Sequence, residues 1–203
     1  MSMQISGIIA RCEEIYSDLS FTYVKEWKER TGGRAIGFMP IYVPREVIRA
    51  AGMLPVGIMG GSDNIEIIRG DAYYQSYICH IPRSTIEMGL TGRLDCLDGM
   101  LFPAICDVIR NLSGMWQMMF EGKYIRYMDY PQNFDERIGG EFYYNDVREL
   151  VADFEELASA PVTDDGLREA ISAYNENRAA IERLYRLRTR IIELPGFSNF
   201  QCT

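Results

Sequence analysis

Short apolar runs alternate with amphipathic segments along most of this sequence, and that order predicts an α/β fold. We expect a doubly wound, mainly parallel sheet with flanking helices, followed by a long C-terminal helix. Two of the runs enclose a short helical segment within residues 35–59, which is a parallel crossover unit. The alternation repeats after residue 82, and from residue 163 onward apolar residues recur at helical spacing alone.

Local signals indicate where the elements begin and end. Asp18 or Ser20 is a suitable N-cap for the second helix, Pro44 suits the first turn of the third, and Gly52 suits its end. Thr163 is a suitable N-cap for the last helix. The predicted strands are 35–41, 54–59, 99–102 and 124–128; the predicted helices are 5–16, 21–31, 45–51, 82–90, 107–119, 145–158 and 163–192, with a polar loop at 131–142.

The change of pattern near residue 160 predicts two units. Residues 1–160 would form the α/β domain together with its N-terminal helices, and residues 161–203 would consist mainly of the long helix. At 1.5 Å per residue that helix reaches about 45 Å, which exceeds the width of a small domain. We therefore expect it to bridge to another body.

Composition and charge exclude several classes of function. The 203 residues are 47% hydrophobic and 25% charged, which suits a globular domain with a sizeable core. The formal net charge of −8 argues against a nucleic-acid partner and against a polybasic membrane anchor. The N-terminus lacks the basic start and apolar run of a secretory signal, and no stretch reaches the roughly 18 apolar residues of a spanning helix. We expect a cytoplasmic protein.

Cysteine is the residue type that offers most of the chemistry in this sequence. The chain contains no GxxxxGKS/T phosphate loop and no GxGxxG fingerprint, and its single histidine, His80, argues against a Ser–His–Asp triad or a His-rich zinc site. An odd number of irregularly spaced cysteines favours metal binding or plain burial over disulfide bonds. The five are Cys12, Cys79, Cys96, Cys106 and Cys202.

Two of these cysteines are predicted to lie at the carboxyl edge of the sheet, where open α/β sheets bind ligands. Cys106 follows the strand at 99–102 and begins a helix, whose N-terminus favours a thiolate. Cys79 also precedes a helix and can share this edge. Cys96 precedes the strand that Cys106 follows, so a strand length of roughly 15 Å places it at the opposite edge.

The same residues also have simpler interpretations. Free cysteines are among the most buried residue types and often act as small apolar side chains. His80 is an ordinary packed or surface histidine on this interpretation. The tyrosines at 73, 74 and 77 either line an aromatic pocket or fill the interface between sheet and helices.

Three long stretches resemble the 2-hydroxyacyl-CoA dehydratase and benzoyl-CoA reductase family of iron-sulfur proteins, and they are most similar to its reductase branch. The stretches are IYVPREVIRAAGMLPVGIMGG, GDAYYQSYICHIPRSTIEMGL and LDGMLFPAICDVIRNLSGMW. The similarity extends from the first helix to SAYNENRAAIERLYRLRTR.

This resemblance implies a [4Fe-4S] cluster bound by three cysteines of a subunit. Two of them correspond to Cys79 in ICHIPR and Cys106 in FPAICD. The third belongs to a C-terminal α/β domain of the family, which we expect to be missing from this chain. Cys202 comes too soon after the long helix to replace that ligand. Residues 1–160 would then be the cluster-binding domain, and residues 161–203 would lead towards the missing domain.

The resemblance also implies an activity and partners. The chain would belong to an ATP-dependent enzyme that reduces the aromatic ring of benzoyl-CoA with electrons delivered at very low potential through the cluster. A homologous reductase subunit and a separate ATP-hydrolysing activator would be its partners, consistent with the missing phosphate loop. Tyr42, in the loop after the first strand, is a candidate substrate-binding residue, although an ordinary loop aromatic is the simpler interpretation.

Two other functions remain open at this point. A 2-hydroxyacyl-CoA dehydratase subunit would use the same fold and cluster with a different substrate. A non-catalytic, cluster-free fragment would only bind a partner through its long helix, and the missing third cysteine is the best support for that hypothesis.

Overall fold

A computed structural model describes residues 5–192, with side chains up to residue 188. Its strands are β1 (Ala35–Phe38), β2 (Leu54–Gly57), β3 (Gly99–Pro103) and β4 (Tyr124–Met128). Its helices are α1 (Ile5–Ser17), α2 (Thr22–Thr31), α3 (Arg45–Ala50), α4 (His80–Leu90), α5 (Asp107–Met119), α6 (Glu141–Ala158) and α7 (Asp164–Ile192). Short 3-10 turns lie at Ser62–Asn64 and Gly70–Ala72, and a π-helical turn lies at Glu136–Gly140.

The four strands form one entirely parallel sheet in the order β2-β1-β3-β4, which confirms the predicted fold class. Ile36 of β1 pairs with Pro55 of β2 and with Gly99 of β3, and Gly99 pairs in turn with Tyr124 of β4. Strand β3 is buried along its whole length. Because all strands run in one direction, every carboxyl end lies at the same edge of the sheet.

Helices cover both faces of the sheet, as a doubly wound fold requires. On one face α2, α4 and α5 bury an apolar cluster that includes Ile86, Phe102 and Trp116. On the other face α3 and α6 bury a second cluster that includes Leu101 and Phe154. Alternate residues of β3 therefore contribute to opposite cores, which is the two-residue period of a strand buried on both faces.

One residue, Asp98, connects the amino ends of three strands. Asp98 precedes β3, and its Oδ2 accepts hydrogen bonds from the backbone N of Ala35 at 2.8 Å and from Lys28 Nζ at 2.7 Å. The backbone carbonyl of Asp98 accepts a third, at 3.0 Å, from the N of Tyr124. This one residue therefore connects α2 with the starts of β1, β3 and β4.

The predicted ends of β1 and β2 and the predicted starts of α4 and α6 differ from the observed ones by two to four residues. Two of these differences have a clear physical cause. Strand β1 ends at Phe38 instead of residue 41, because Pro40 has no N–H to donate and Tyr42 adopts a left-handed backbone with φ of 63°. The predicted loop at 131–142 contains a π-helical turn and the start of α6. The Asp135 side chain accepts a hydrogen bond from Arg137 N at 2.9 Å and so begins that turn.

Helix α7 packs along α3 over its first half. The Arg45 guanidinium lies 4.8 Å from the centre of the Tyr174 ring, and Arg178 forms an ion pair with Glu46. Ala170 is fully buried, whereas residues 181–188 are all exposed. The division into two units at residue 160 stays a prediction. Among residues 5–192, no helix has both the length and the apolar composition needed to cross a bilayer.

Arg126 joins β4 to α6 through three carboxylates. Its guanidinium donates to Asp146 Oδ1 at 2.7 Å, to Asp153 Oδ2 at 2.8 Å and to Glu149 Oε2 at 3.0 Å. The side chains of Arg126 and Asp146 are 17% and 16% exposed. A pair so little exposed to solvent is weakly screened, and its loss leaves an uncompensated carboxylate.

We expect Arg126→Ala to lower the free energy of unfolding by about 3 kcal/mol, the lower end of the cost of breaking a buried ion pair. Arg168→Ala is the matched control, because its pairs with Asp164 and Asp165 are highly exposed and should contribute less than about 0.5 kcal/mol. Urea unfolding of both variants measures the difference. Equal losses would show that the Arg126 pairs contribute no more than surface pairs.

Candidate functional site

Cys106 lies at the carboxyl edge, immediately before α5. After β3 ends at Pro103, the pairing with β4 continues for one more hydrogen bond, from Ala104 N to Met128 O at 2.8 Å. Cys106 then adopts an extended backbone, and its carbonyl accepts the first helical bonds from Ile109 N and Arg110 N. Its thiol is exposed.

Cys79 occupies the same position relative to α4. The first turn of α4 lies against the loop after β2, where Gly61 N donates to Ser84 Oγ at 3.1 Å. Gly60 has a φ of 79°, and a Cβ on it would lie 3.2 Å from Ile81 O and 3.3 Å from Ile81 Cα. Only glycine suits that backbone and that close approach. The helix start, and with it the exposed thiol of Cys79, is thereby held at the carboxyl edge.

Both thiols occupy the N-cap position of a helix, yet neither caps it. Neither Cys79 nor Cys106 forms a side-chain hydrogen bond to its own helix. Ser, Thr, Asp and Asn are the residues that stabilise a helix most at its N-cap position. The positive end of a helix dipole also attracts negative charge, so both helix starts favour an anionic group close to them.

Tyr74 is a buried polar group in the segment that leads to Cys79. Its ring packs against the core cluster shared by α4 and α5, and its hydroxyl is buried with no hydrogen-bond partner among the described residues. Burial raises the pKa of the phenol well above its usual range, and negative charge on Cys106 and Cys79 raises it further. Both sulfurs are therefore near enough to interact electrostatically with this hydroxyl.

A buried carboxylate fixes the segment that carries Tyr74 and Cys79. Glu87 of α4 is 3% exposed, and its Oε2 accepts from Gly70 N at 2.7 Å and from Ile68 N at 3.0 Å. Arg83 Nε donates to Asp71 Oδ1 at 2.9 Å and adds a second tie to α4. Sequence reasoning missed this contact, although a lone glutamate among the apolar residues of STIEMGL is a signal for it.

Cys96 lies at the other edge, as the strand-length argument predicts. Its backbone carbonyl accepts from Lys28 Nζ at 2.8 Å, next to Asp98 at the amino end of β3. Burial raises the pKa of its thiol, although Lys25 and Lys28 partly offset this effect. The exposed Cys12 lies on α1, and Cys202 lies outside the described residues.

Tyr42 lines a cleft of about 510 Å³ elsewhere on the carboxyl edge. Its ring stacks on Tyr130 at 4.8 Å, and Tyr130 contacts Tyr143 edge-on at 5.4 Å. Arg45 and Arg178 also line this cleft. The stacked tyrosines connect the loops that follow β1 and β4. The sequence gives no sign of this pairing, because Tyr130 and Tyr143 are distant from Tyr42 along the chain.

The other predicted site residues are not all brought together. His80 is exposed as the first residue of α4, and Tyr73 and Tyr77 are 44% and 80% exposed. Of the three neighbouring tyrosines, only Tyr74 therefore fills an interface with the core. Within the part of the chain that the structure describes, no group of three or more His, Cys, Asp or Glu residues is arranged to hold a metal ion.

The fold and this edge define an α/β protein that carries two exposed thiols at helix N-termini. The family model described as 2-hydroxyglutaryl-CoA dehydratase, D-component, matches residues 40–201, and the chain belongs to that family. It is 58% identical over 189 residues to the C subunit of benzoyl-CoA reductase from Thauera aromatica, an alignment that covers 93% of this chain and 49% of that protein.

Two dehydratase subunits are more distant relatives. The chain is 34% identical to the beta subunit of (R)-2-hydroxyglutaryl-CoA dehydratase from Acidaminococcus fermentans, over 88% of this chain and 46% of that protein. It is 33% identical to the beta subunit of (R)-phenyllactyl-CoA dehydratase from Clostridium sporogenes, over 77% and 41% respectively. The chain therefore spans about half the length of the curated relatives it matches. The family resemblance and its reductase branch are confirmed.

We expect alkylation by iodoacetamide to distinguish the thiols in the folded chain. Cys79 and Cys106 should react several-fold faster than Cys96, because burial limits access to Cys96 and lowers its thiolate fraction. Mass spectrometry of peptides after timed labelling measures each rate. The rates should converge in denaturant, and faster labelling of Cys96 in the folded chain would contradict the placement of the three thiols.

Proposed function

We propose that this chain belongs to the iron-sulfur subunit of an ATP-dependent aromatic acyl-CoA reductase that acts on benzoyl-CoA. Cys79 and Cys106 would be two of the thiolate ligands of a [4Fe-4S] cluster. The observation that carries the proposal is the pair of cysteines at the N-caps of α4 and α5, in a chain 58% identical to a benzoyl-CoA reductase subunit. We place the assembly in the cytoplasm, as the sequence predicts.

The residues at the carboxyl edge fit such a cluster. Thiolates are the soft ligands that iron in these clusters requires, and the two thiols are exposed and not engaged in capping. The buried hydroxyl of Tyr74 has no hydrogen-bond partner in the described chain. A bound group would supply the missing acceptor. The described residues offer two cysteines at this edge, so the third ligand would come from outside them.

When bound, a thiolate-ligated cluster supplies single electrons at low potential, which is what reduction of an aromatic ring requires. The chain's own residues would position that chemistry. Cys79 and Cys106 would hold the iron, the starts of α4 and α5 would stabilise the negative charge, and Glu87 fixes the segment that leads to Cys79. A separate activator would hydrolyse ATP, which is consistent with the lack of a phosphate loop in this sequence.

The edge is not closed to water by this chain alone. Met59 and Ile81, which follow β2 and begin α4, are 52% and 40% exposed. Apolar side chains that surround a ligand site favour contact with another surface. A homologous reductase subunit that covers them would exclude solvent from the cluster and from the substrate.

The cleft at Tyr42 is the proposed contact with the aromatic acyl-CoA. The stacked rings of Tyr42 and Tyr130 suit an aromatic group, and the guanidinium groups of Arg45 and Arg178 suit the phosphates of a CoA thioester. Tyr42 also holds a left-handed backbone that is costly for a residue with a Cβ. Strain of this kind at a cleft is typical of a functional position.

A 2-hydroxyacyl-CoA dehydratase subunit is the alternative function. Its support is the identity of 34% and 33% to two dehydratase beta subunits in the same family. The greater identity to the reductase subunit favours aromatic reduction. A cluster-free fragment that only binds a partner is the remaining hypothesis, and the iron content of the assembled enzyme tests it.

In the assembled enzyme, prepared without oxygen, we expect Cys106→Ser to remove the cluster and benzoyl-CoA reduction together. A hydroxyl is a poor ligand for iron that a thiolate should hold. Cys96→Ala is the matched control, because this half-buried thiol lies at the opposite edge and its loss should cost on the order of 1 kcal/mol of stability. Iron content and substrate-dependent ATP turnover are measured for both variants.

Three outcomes would change the conclusion. Full activity in Cys106→Ser would contradict the enzyme proposal. A parent enzyme that converts a 2-hydroxyacyl-CoA and leaves benzoyl-CoA unchanged would favour the dehydratase, provided that Cys106→Ser abolishes this conversion. Absence of iron from the parent assembly would favour the cluster-free fragment.

For the cleft, we expect Tyr42→Asn to raise KM for the acyl-CoA about fivefold while kcat changes little. Removal of one stacked ring costs about 1 kcal/mol of binding, and asparagine tolerates the left-handed backbone of this position. Tyr144→Asn is the control, since this ring on α6 is 62% exposed and lies outside the residues that line the cleft. Steady-state kinetics measure both, and equal KM values would contradict substrate binding at Tyr42.

A further inference from the structure

The hydroxyl of Tyr74 is a buried donor that the described chain leaves without an acceptor. The Tyr74 ring packs against the core cluster formed by α2, α4 and α5, while its oxygen is shielded from solvent. A buried hydroxyl without a partner is destabilising, because folding removes its hydrogen bond to water and supplies no replacement. A tyrosine that carries this cost where phenylalanine would fill the same space indicates an acceptor that belongs to a bound group.

The surroundings of this hydroxyl point to a sulfur acceptor. Tyr74 and Ile105, the residue before Cys106, pack against the same core cluster, and negative charge on Cys106 and Cys79 acts on the Tyr74 phenol. Both thiols are exposed and form no capping bond. A group held by these two sulfurs would therefore lie close to the Tyr74 hydroxyl.

The segment before Tyr74 is held against α4 by several hydrogen bonds. Glu87 accepts two backbone hydrogen bonds from residues 68 and 70, and Arg83 pairs with Asp71. Tyr73 N donates to Gly70 O at 3.1 Å and closes the turn that leads into Tyr74. The backbone that leads into Tyr74 is thus held by hydrogen bonds within this chain.

We infer that Tyr74 is a positioning residue that donates a hydrogen bond to a thiolate or sulfide sulfur of the cluster held by Cys79 and Cys106, and so raises its reduction potential; the inference rests on the proposed function. A hydrogen bond to sulfur is stronger when the cluster carries the extra electron, because the acceptor is then more negative. The reduced state is stabilised more than the oxidised state. Tyr74 would thus make the cluster easier to reduce by its partner.

The first test is the midpoint potential of the cluster in the assembled enzyme. We expect Tyr74→Phe to retain its iron and to lower the equilibrium constant for one-electron reduction about tenfold, which is a shift of about 59 mV to more negative potential. Tyr77→Phe is the matched control, because its ring is 80% exposed and it should leave the potential unchanged. Redox titration followed by electron paramagnetic resonance measures each variant.

The second test uses stability and does not depend on activity. In the cluster-free form of the same assembly, Tyr74→Phe should raise the melting temperature, since it removes an unsatisfied buried hydroxyl. In the loaded form the same substitution should lower it, since the hydroxyl then has a partner. Tyr77→Phe should produce no such reversal of sign.

The outcomes separate this inference from the proposed function. A parent enzyme that never holds iron would overturn the proposed function and, with it, the role of Tyr74. A loaded Tyr74→Phe variant with the parent potential, or with the same change in melting temperature in both forms, would overturn the inference alone. Loss of iron in Tyr74→Phe but not in Tyr77→Phe would also overturn the inference. In the inferred role the thiolates hold the cluster and the Tyr74 hydroxyl changes only its reduction potential.

Discussion

The parallel pairing of β3 with both of its neighbours is the constraint on which the rest of the structure depends. This strand is buried along its whole length and contributes alternate residues to two separate cores. Its direction is shared by every other strand, so the residues that follow β1, β3 and β4 all come out at one edge. Cys106 and Tyr42 lie at that edge for this reason alone, and α4 brings Cys79 to it by packing against the loop after β2.

The carboxyl edge and the amino edge are stabilised by different means. At the amino edge Asp98 satisfies backbone and lysine donors and connects three strands. At the carboxyl edge two N-cap positions carry cysteines that form no cap, and the nearby Tyr74 hydroxyl has no partner among residues 5–188. The carboxyl edge is stabilised by groups that lie behind it in α4, chiefly the buried Glu87 carboxylate. Parallel α/β sheets bind ligands at their carboxyl edge. Polar positions that stay unsatisfied at such an edge are typical of a binding site.

Family membership and local geometry agree on the same edge. The family match covers residues 40–201, which includes both N-cap cysteines and the Tyr42 loop. The matched relatives are about twice as long as this chain. An edge that is exposed and partly apolar in this chain is consistent with a site that further domains or subunits complete. The thiols, the aromatic cleft and the exposed side chains of Met59 and Ile81 all lie at the carboxyl edge of the sheet.

The sequence by itself determined the fold class, the bounds of α5 and β4, and the opposite positions of Cys96 and Cys106, because strand length and helical spacing are local properties. It also indicated the family through long stretches of similar residues. The turn at 136–140 was missed because consecutive glycines usually end a helix, whereas here the Asp135 side chain begins one. Only the tertiary structure decided that Tyr42 stacks on Tyr130 and that the Tyr74 hydroxyl is buried without a partner in the described chain, since these features depend on residues from different elements.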